Sequence, residues 1–154
     1  VIVKWDELGE QNCPIARSLS IFGDRWTLLI IRNSFWKTRR FDEFQQQLGI
    51  TRHLLSERLT RLVDNQIFEK VLYQEAPKRY EYRLTERGLA LYPIILALTN
   101  WGNSWMNDGS FAKLEYVHKP CDKKTQPTMA CSECGEAICA HDMLPYLGEP
   151  PQQA

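Results

Sequence analysis

Apolar positions change period several times along this chain, and each change marks an element. Ile15, Leu19 and Phe22 recur at helical spacing. Pro14 suits the first position of that helix, because the amide it lacks would go unpaired there, and Gly23 ends the stretch. Asp24 or a neighbour caps the next helix. Its Trp26, Leu28, Leu29, Ile30 and Ile31 are apolar nearly all round, which predicts burial and makes it the expected central core helix. Residues 41–66 read as two short helices joined by a tight turn, with Gly49 free to take the positive φ that ends the first and Thr51 able to cap the second. On the second helix Leu55, Leu59, Leu62 and Gln66 share a face. His53, Glu57, Thr60 and Asp64 point the other way, flanked by Ser56 and Arg61. A polar helix held out by a leucine stripe suits the major groove of DNA, although an ordinary amphipathic surface helix has the same pattern.

Beyond residue 66 the period shortens. Residues 67–74 partly alternate, 75–78 form a turn, and residues 79–84 alternate charged and apolar side chains, which predicts a hairpin directly after the helix pair, in the position of a wing. Thr85 can cap a long last helix reaching about Met106, with Pro93 expected to kink it or divide it in two. Leu91, Ile94, Ile95, Leu98, Trp101 and Trp105 give that helix more apolar surface than a small core hides, so it is expected either to self-associate or to pack on the first helix. After Asp108-Gly109 large apolar residues thin out, and the remainder reads as an appendage. The predicted organisation is a domain over residues 1–110 and an extension over 111–154.

Composition adjusts this picture modestly. With 154 residues, 44% hydrophobic and 25% charged, the chain is of ordinary globular make-up. Net charge is zero, yet residues 25–87 hold 13 Lys/Arg against 8 Asp/Glu, so a basic excess surrounds the helix pair as contact with phosphate requires. The opening residues lack the apolar stretch of a signal peptide, apolar runs are too short to span a bilayer, and five unevenly placed cysteines do not resemble a secreted disulfide framework. The cytoplasm is the expected compartment. A Gly-rich phosphate loop and a supported Ser/His/Asp set are both missing, so an enzyme is not expected.

Several separate motifs then fall in a known order. They are Cys13-Pro14, Gly23-Asp24-Arg25-Trp26-Thr27-Leu28-Leu29-Ile30, Arg40-Phe41-Asp42-Glu43-Phe44 and Leu55-Ser56-Glu57-Arg58-Leu59. Tyr80-Glu81-Tyr82, Leu84-Thr85-Glu86-Arg87-Gly88 and Trp101-Gly102 complete the order. Over about residues 12–106 the chain resembles the HxlR-type winged helix-turn-helix transcriptional regulators of bacteria and archaea. Asn65-Gln66 departs from the pattern, because family members often carry Gly there, and a less sharp helix end is expected. The resemblance implies an α+β fold, mainly helical with a small hairpin wing. It also implies a homodimer, most often a repressor, that binds a two-fold-symmetric (palindromic) operator through the second motif helix. The first and last helices would form the dimer interface, and half-sites would lie on the order of 34–36 Å apart.

Within the motif, chemistry selects residues. Thr51, Arg52, His53, Ser56 and Glu57 occupy the start of the reading helix, which comes closest to base edges, whereas Thr60 and Arg61 lie nearer the groove wall. Arg39 and Arg40, with Lys78 and Arg79 on the wing, suit phosphate and would give salt-dependent affinity. Arg58, at the edge of the buried face, fits an ion pair as well as a DNA contact.

The appendage carries His118, Cys121, Cys131 and Cys134 as two short pairs, a ligand set that suits structural zinc, with Cys139 or His141 close enough to replace a member. A disulfide and a free thiol-rich tail are the alternatives. Cys13 is expected at a helix cap, near unpaired amides and the positive end of the helix dipole, which favour a thiolate. In several HxlR-like regulators a cysteine in this region senses oxidants or other electrophiles, so the resemblance implies a redox-sensing role for Cys13; a small buried residue is the plain alternative. Two other functions remain: a metal- or thiol-stress sensor with the C-terminal cysteines as input, and a winged-helix protein–protein module that does not bind DNA.

Overall fold

A computed structural model describes residues 5–146 and 148. The first four residues of the polar entry and the last of the appendage lie outside the described set. A 3-10 helix, Trp5–Glu10, precedes α1 (Pro14–Phe22), α2 (Arg25–Phe35), α3 (Phe41–Leu48) and α4 (Arg52–Asp64). Strands β1 (Phe68–Glu75) and β2 (Lys78–Leu84) form an antiparallel hairpin, followed by α5 (Glu86–Leu89) and α6 (Tyr92–Trp105). A second small hairpin pairs β3 (Tyr116–His118) with β4 (Lys123–Thr125). The chain divides into two compact units inside α6, the first ending at Ile95 and the second starting at Leu96.

The first unit is a winged helix-turn-helix built on α2. Asp24 caps that helix: one carboxylate oxygen accepts from the amides of Trp26 and Thr27, each at 3.1 Å, and the other accepts from the Thr27 hydroxyl at 2.5 Å. Ile30 and Ile31 are fully buried with Phe44, Leu55, Leu59, Leu62, Ile67 and Phe68, so α2, α3, α4 and the base of the wing share one core. The helix is less uniformly apolar than its pattern predicts, because Thr27 and Asn33 are buried as well. Asn33 donates to Gln47 Oε1 at 2.8 Å, which also accepts from the Thr38 hydroxyl at 2.9 Å, so this interior polar cluster is satisfied and locks α2 to α3.

The helix pair forms where expected. Gly49 ends α3 at φ +63°, and the Thr51 hydroxyl accepts from the amide of Leu54 at the start of α4. Gln66 does not continue the leucine face, because α4 stops at Asp64. It instead adopts φ +58°, the conformation in which a glycine is unstrained. The amides of Gln66 and Ile67 then return to Val63 O and Leu62 O at 2.9 Å, so α4 ends sharply without a glycine.

The wing strands pair from Phe68↔Leu84 to Glu75↔Lys78, with a bulge between Leu72 and Gln74, and only Ala76-Pro77 lie between them. Pro93 divides the last helix as predicted. It lacks the amide that would bond Leu89 O, so α5 closes at Leu89 and Pro93 falls in the first turn of α6. α5 sits so close to the wing base that a Cβ on Gly88 would lie 2.3 Å from Ile67 O.

In the second unit, the Asn103 side chain exchanges two hydrogen bonds with the Leu114 backbone and the Thr99 hydroxyl meets the Tyr116 hydroxyl at 3.0 Å. None of its described residues is buried. The strands of the appendage carry no sequence signal, because three-residue strands with few apolar side chains leave no period to detect. Among the described residues no helix is long and apolar enough to cross a membrane.

Candidate nucleic-acid interface

Leu55, Leu59 and Leu62 hold one face of α4 in the core, and this presents the opposite face to solvent. His53, Ser56, Glu57, Thr60 and Asp64 are exposed there. With Arg61 they line a shallow groove of about 430 Å³ along the helix. A second groove, about 490 Å³, joins the beginning of the helix pair to the wing. Arg40 and Phe41 at the start of α3 and Arg52 at the start of α4 line it from one side, with Lys70, Lys78 and Arg79 of the wing on the other.

The charged residues in this region differ in how free they are. Arg39, Lys78 and Arg79 carry exposed side chains. Arg52 is exposed but oriented: its guanidinium reaches Asp42 and Gln45, both at 3.3 Å, and lies over the Phe41 ring. Arg40 lies over the Tyr73 ring and approaches Glu81 at 3.5 Å. Hydrogen bonding from Arg83, with the charges of Arg83 and Arg40, keeps the Glu81 carboxyl below the usual range, so it stays ionised and offsets part of the Arg40 charge. The Glu43 carboxylate accepts from the amides of Arg39 and Arg40 and so fixes the backbone from which both arginines project.

Arg61 lines the groove and also has a partner in another helix. Its guanidinium donates to Ser20 O and ties α4 to α1, leaving the helix's polar groove with fewer free cations than the sequence suggests. Glu57 bonds Arg58 at 2.7 Å. Arg58 also meets Asp24 at 3.2 Å with its side chain mostly buried, which decides between the two roles the sequence left open: it is an ion-pair residue joining α4 to the α2 cap. Burial alone would raise the Asp24 carboxyl. The Thr27 hydroxyl and amide and the Arg58 charge outweigh it and hold the carboxyl below its ordinary value.

Sequence reading passed over Lys70, Tyr73 and Tyr80. The Lys70 ammonium lies 4.3 Å from the Tyr80 ring centroid, and all three residues line the groove at the wing. The signal was available in the alternation of residues 79–84, but the bulge before Gln74 changes which β1 side chains face inward.

The thiols form two groups. Cys13 is the cap residue of α1, half-buried, and its sulfur makes no capping hydrogen bond. In the second unit His118 Nδ1 lies 3.4 Å from Cys121 Sγ. The backbone amides of Cys134 and Glu133, and the Cys134 thiol, bond Cys131 and lower its pKa. Among the described residues no three His, Cys, Asp or Glu side chains are gathered closely enough to hold a metal.

Comparison with known proteins agrees with this geometry. The model of the HxlR-like helix-turn-helix family matches residues 21–110. An uncharacterized HTH-type transcriptional regulator of Mycobacterium tuberculosis is 39% identical over 134 residues, covering 87% of this chain and 85% of that protein. The crystal structure of PA1607, a proposed transcription factor, superposes with a TM-score of 0.79 at 30% identity and covers 90% of this chain and 96% of that one. The redox regulator HypR in its reduced form superposes with a TM-score of 0.57 at 31% identity, over 63% of this chain and 95% of that one. The chain belongs to the HxlR-like helix-turn-helix family of transcriptional regulators.

Proposed function

We propose that the protein represses transcription as a homodimer bound to a palindromic operator, with α4 reading base edges in the major groove and the wing holding the backbone. The observation that carries this reading is the arrangement of α4. Its leucine face is buried, its polar face is open, and its first residue shares a groove with the basic wing. Next after Arg52, which is turned toward Asp42 and Gln45, His53 and Ser56 are the exposed side chains nearest the start of the helix and are assigned to base edges. Thr51 spends its hydroxyl on the cap and acts by positioning. Arg39, Lys78 and Arg79 are assigned to phosphate. Homodimerisation is supported by the apolar side chains that α6 leaves exposed, chiefly Leu98, Trp101 and Trp105.

Selection of bound DNA from a random pool tests the reading, with an inverted repeat expected among the enriched sequences. Arg79→Ala is expected to weaken binding to every sequence alike and to reduce the salt slope by about 1. His53→Ala and Ser56→Ala are expected to relax preference at particular base pairs. A salt slope unchanged in Arg79→Ala, together with no enriched sequence, would favour a protein–protein module instead.

Control is assigned to Cys13. HypR is a redox regulator, and the Cys13 thiol stands at the N-terminus of α1, where modification would alter the packing of a helix that Arg61 ties to α4. Oxidant is expected to release DNA from the wild type and not from Cys13→Ser. Release from both would move the switch to the tail.

A further inference from the structure

The second unit contains two loops of one design. In the first, between β3 and β4, His118 O accepts from the amide of Asp122 at 2.9 Å, Asp122 takes φ +52°, and His118 pairs with Lys123 across the hairpin. In the second, Cys131 O accepts from the amide of Gly135 at 2.9 Å, Gly135 takes φ +76°, and the Cys131 amide donates to Glu136 O at 2.8 Å. Each loop therefore bears a first ligand-type residue, a second one three positions later, a left-handed residue after that, and backbone pairing that closes the turn. Each turn brings its own pair together, His118 with Cys121 and Cys131 with Cys134.

Cys139 and His141 are not on such a loop. The Cys139 amide donates to the Asp142 carboxylate and its carbonyl accepts from the Asp142 amide in an ordinary turn. A second, independent observation concerns stability. No described residue from Leu96 onward is buried, so the unit lacks the apolar core that holds small domains together, and such units are generally stapled by a metal or by disulfides. The five cysteines are all free thiols.

We propose that the two loops are the halves of one structural zinc site, with His118 and Cys121 from the first and Cys131 and Cys134 from the second as its ligands, and with Cys139 and His141 outside it. The side-chain chemistry fits: three thiolates and an imidazole make a closed tetrahedral set that leaves no position for catalysis. In the structure the pairs stand as separate pairs, with no three ligands gathered. Binding draws them onto a common ion and supplies the folding free energy that the missing core does not. Zinc replaces the protons of the three thiols, these protons pass to solvent, and no electron moves.

The test uses the full chain, purified under reducing conditions without chelator. Bound zinc is measured by mass spectrometry, and added Co²⁺ is followed through its thiolate absorption. About one metal equivalent per chain is expected for the wild type. Stoichiometric binding is expected to disappear in Cys131→Ser and Cys134→Ser and to persist in Cys139→Ser and His141→Ala. Reduced wild-type protein that takes up neither zinc nor Co²⁺ overturns the proposal. Metal lost from Cys139→Ser or His141→Ala but kept by Cys131→Ser also overturns it. Metal content is read without DNA, so the outcome is independent of operator binding.

Discussion

Phe44→Ala is expected to lower stability by about 3–5 kcal/mol, the usual range for emptying a fully buried phenylalanine site. Phe44 has no exposed surface and faces Phe68 with ring centroids 6.4 Å apart, so one side chain joins α3 to the base of the wing within the core that also holds Ile30 and Leu59. The neighbours cannot all collapse into the void, because α2, α3, α4 and β1 each line it from a different direction. Urea unfolding of the first unit would show a lower midpoint with an unchanged slope. DNA affinity should persist in the cold, where the variant is still folded, and fail at temperatures the wild type tolerates. A loss below about 1 kcal/mol would mean that α3 is not held as described.

Gly88→Ala is the second large effect, and its sign is the informative part. In a helix, replacing glycine with alanine ordinarily stabilises by up to about 1 kcal/mol, because alanine loses less conformational freedom. Here the new Cβ would sit 2.3 Å from Ile67 O and 2.9 Å from Leu84 Cδ2. The leucine methyl can turn aside, but the carbonyl cannot, since it already accepts from the Thr85 amide at 3.1 Å. Relieving the contact means separating α5 from the wing base or giving up that bond. Destabilisation of about 1–3 kcal/mol is therefore expected, in line with overpacking of a tight interior. Thermal unfolding decides it: a raised Tm would show that α5 can move away freely.

The legible part of this protein was local. Pro14, Asp24, Gly49, Thr51 and Thr85 marked helix ends because capping and turn conformations depend on the residues themselves and a few neighbours. The leucine spacing on α4 predicted which side would be buried, and the period-2 run before Thr85 predicted a strand of the wing. Pro93 was sufficient to break the last helix, since a missing amide acts wherever the fold places it.

Other features depended on partners distant in sequence. Arg61 lines the groove and is also tied to Ser20 O, while Arg58 goes to Asp24, thirty-four positions away; a guanidinium takes whatever acceptor the packing brings near. Gln66 lies in a conformation suited to glycine because the returning amides and the buried Ile67 overrule its own preference. Gly88 carried no visible demand for smallness until α5 was packed on Ile67 O. The cysteine spacing likewise allowed Cys139 or His141 as a ligand, and only the folded loops show two pairs of one design beside a third segment that lacks it. Sequence alone therefore determined the α-helices and wing of the first unit and most of their ends, because periodicity and capping are short-range. The tertiary structure decided which cations are engaged, which glycine packs against a carbonyl and which His/Cys pairs share a loop geometry, because those depend on distances between segments that no local pattern encodes.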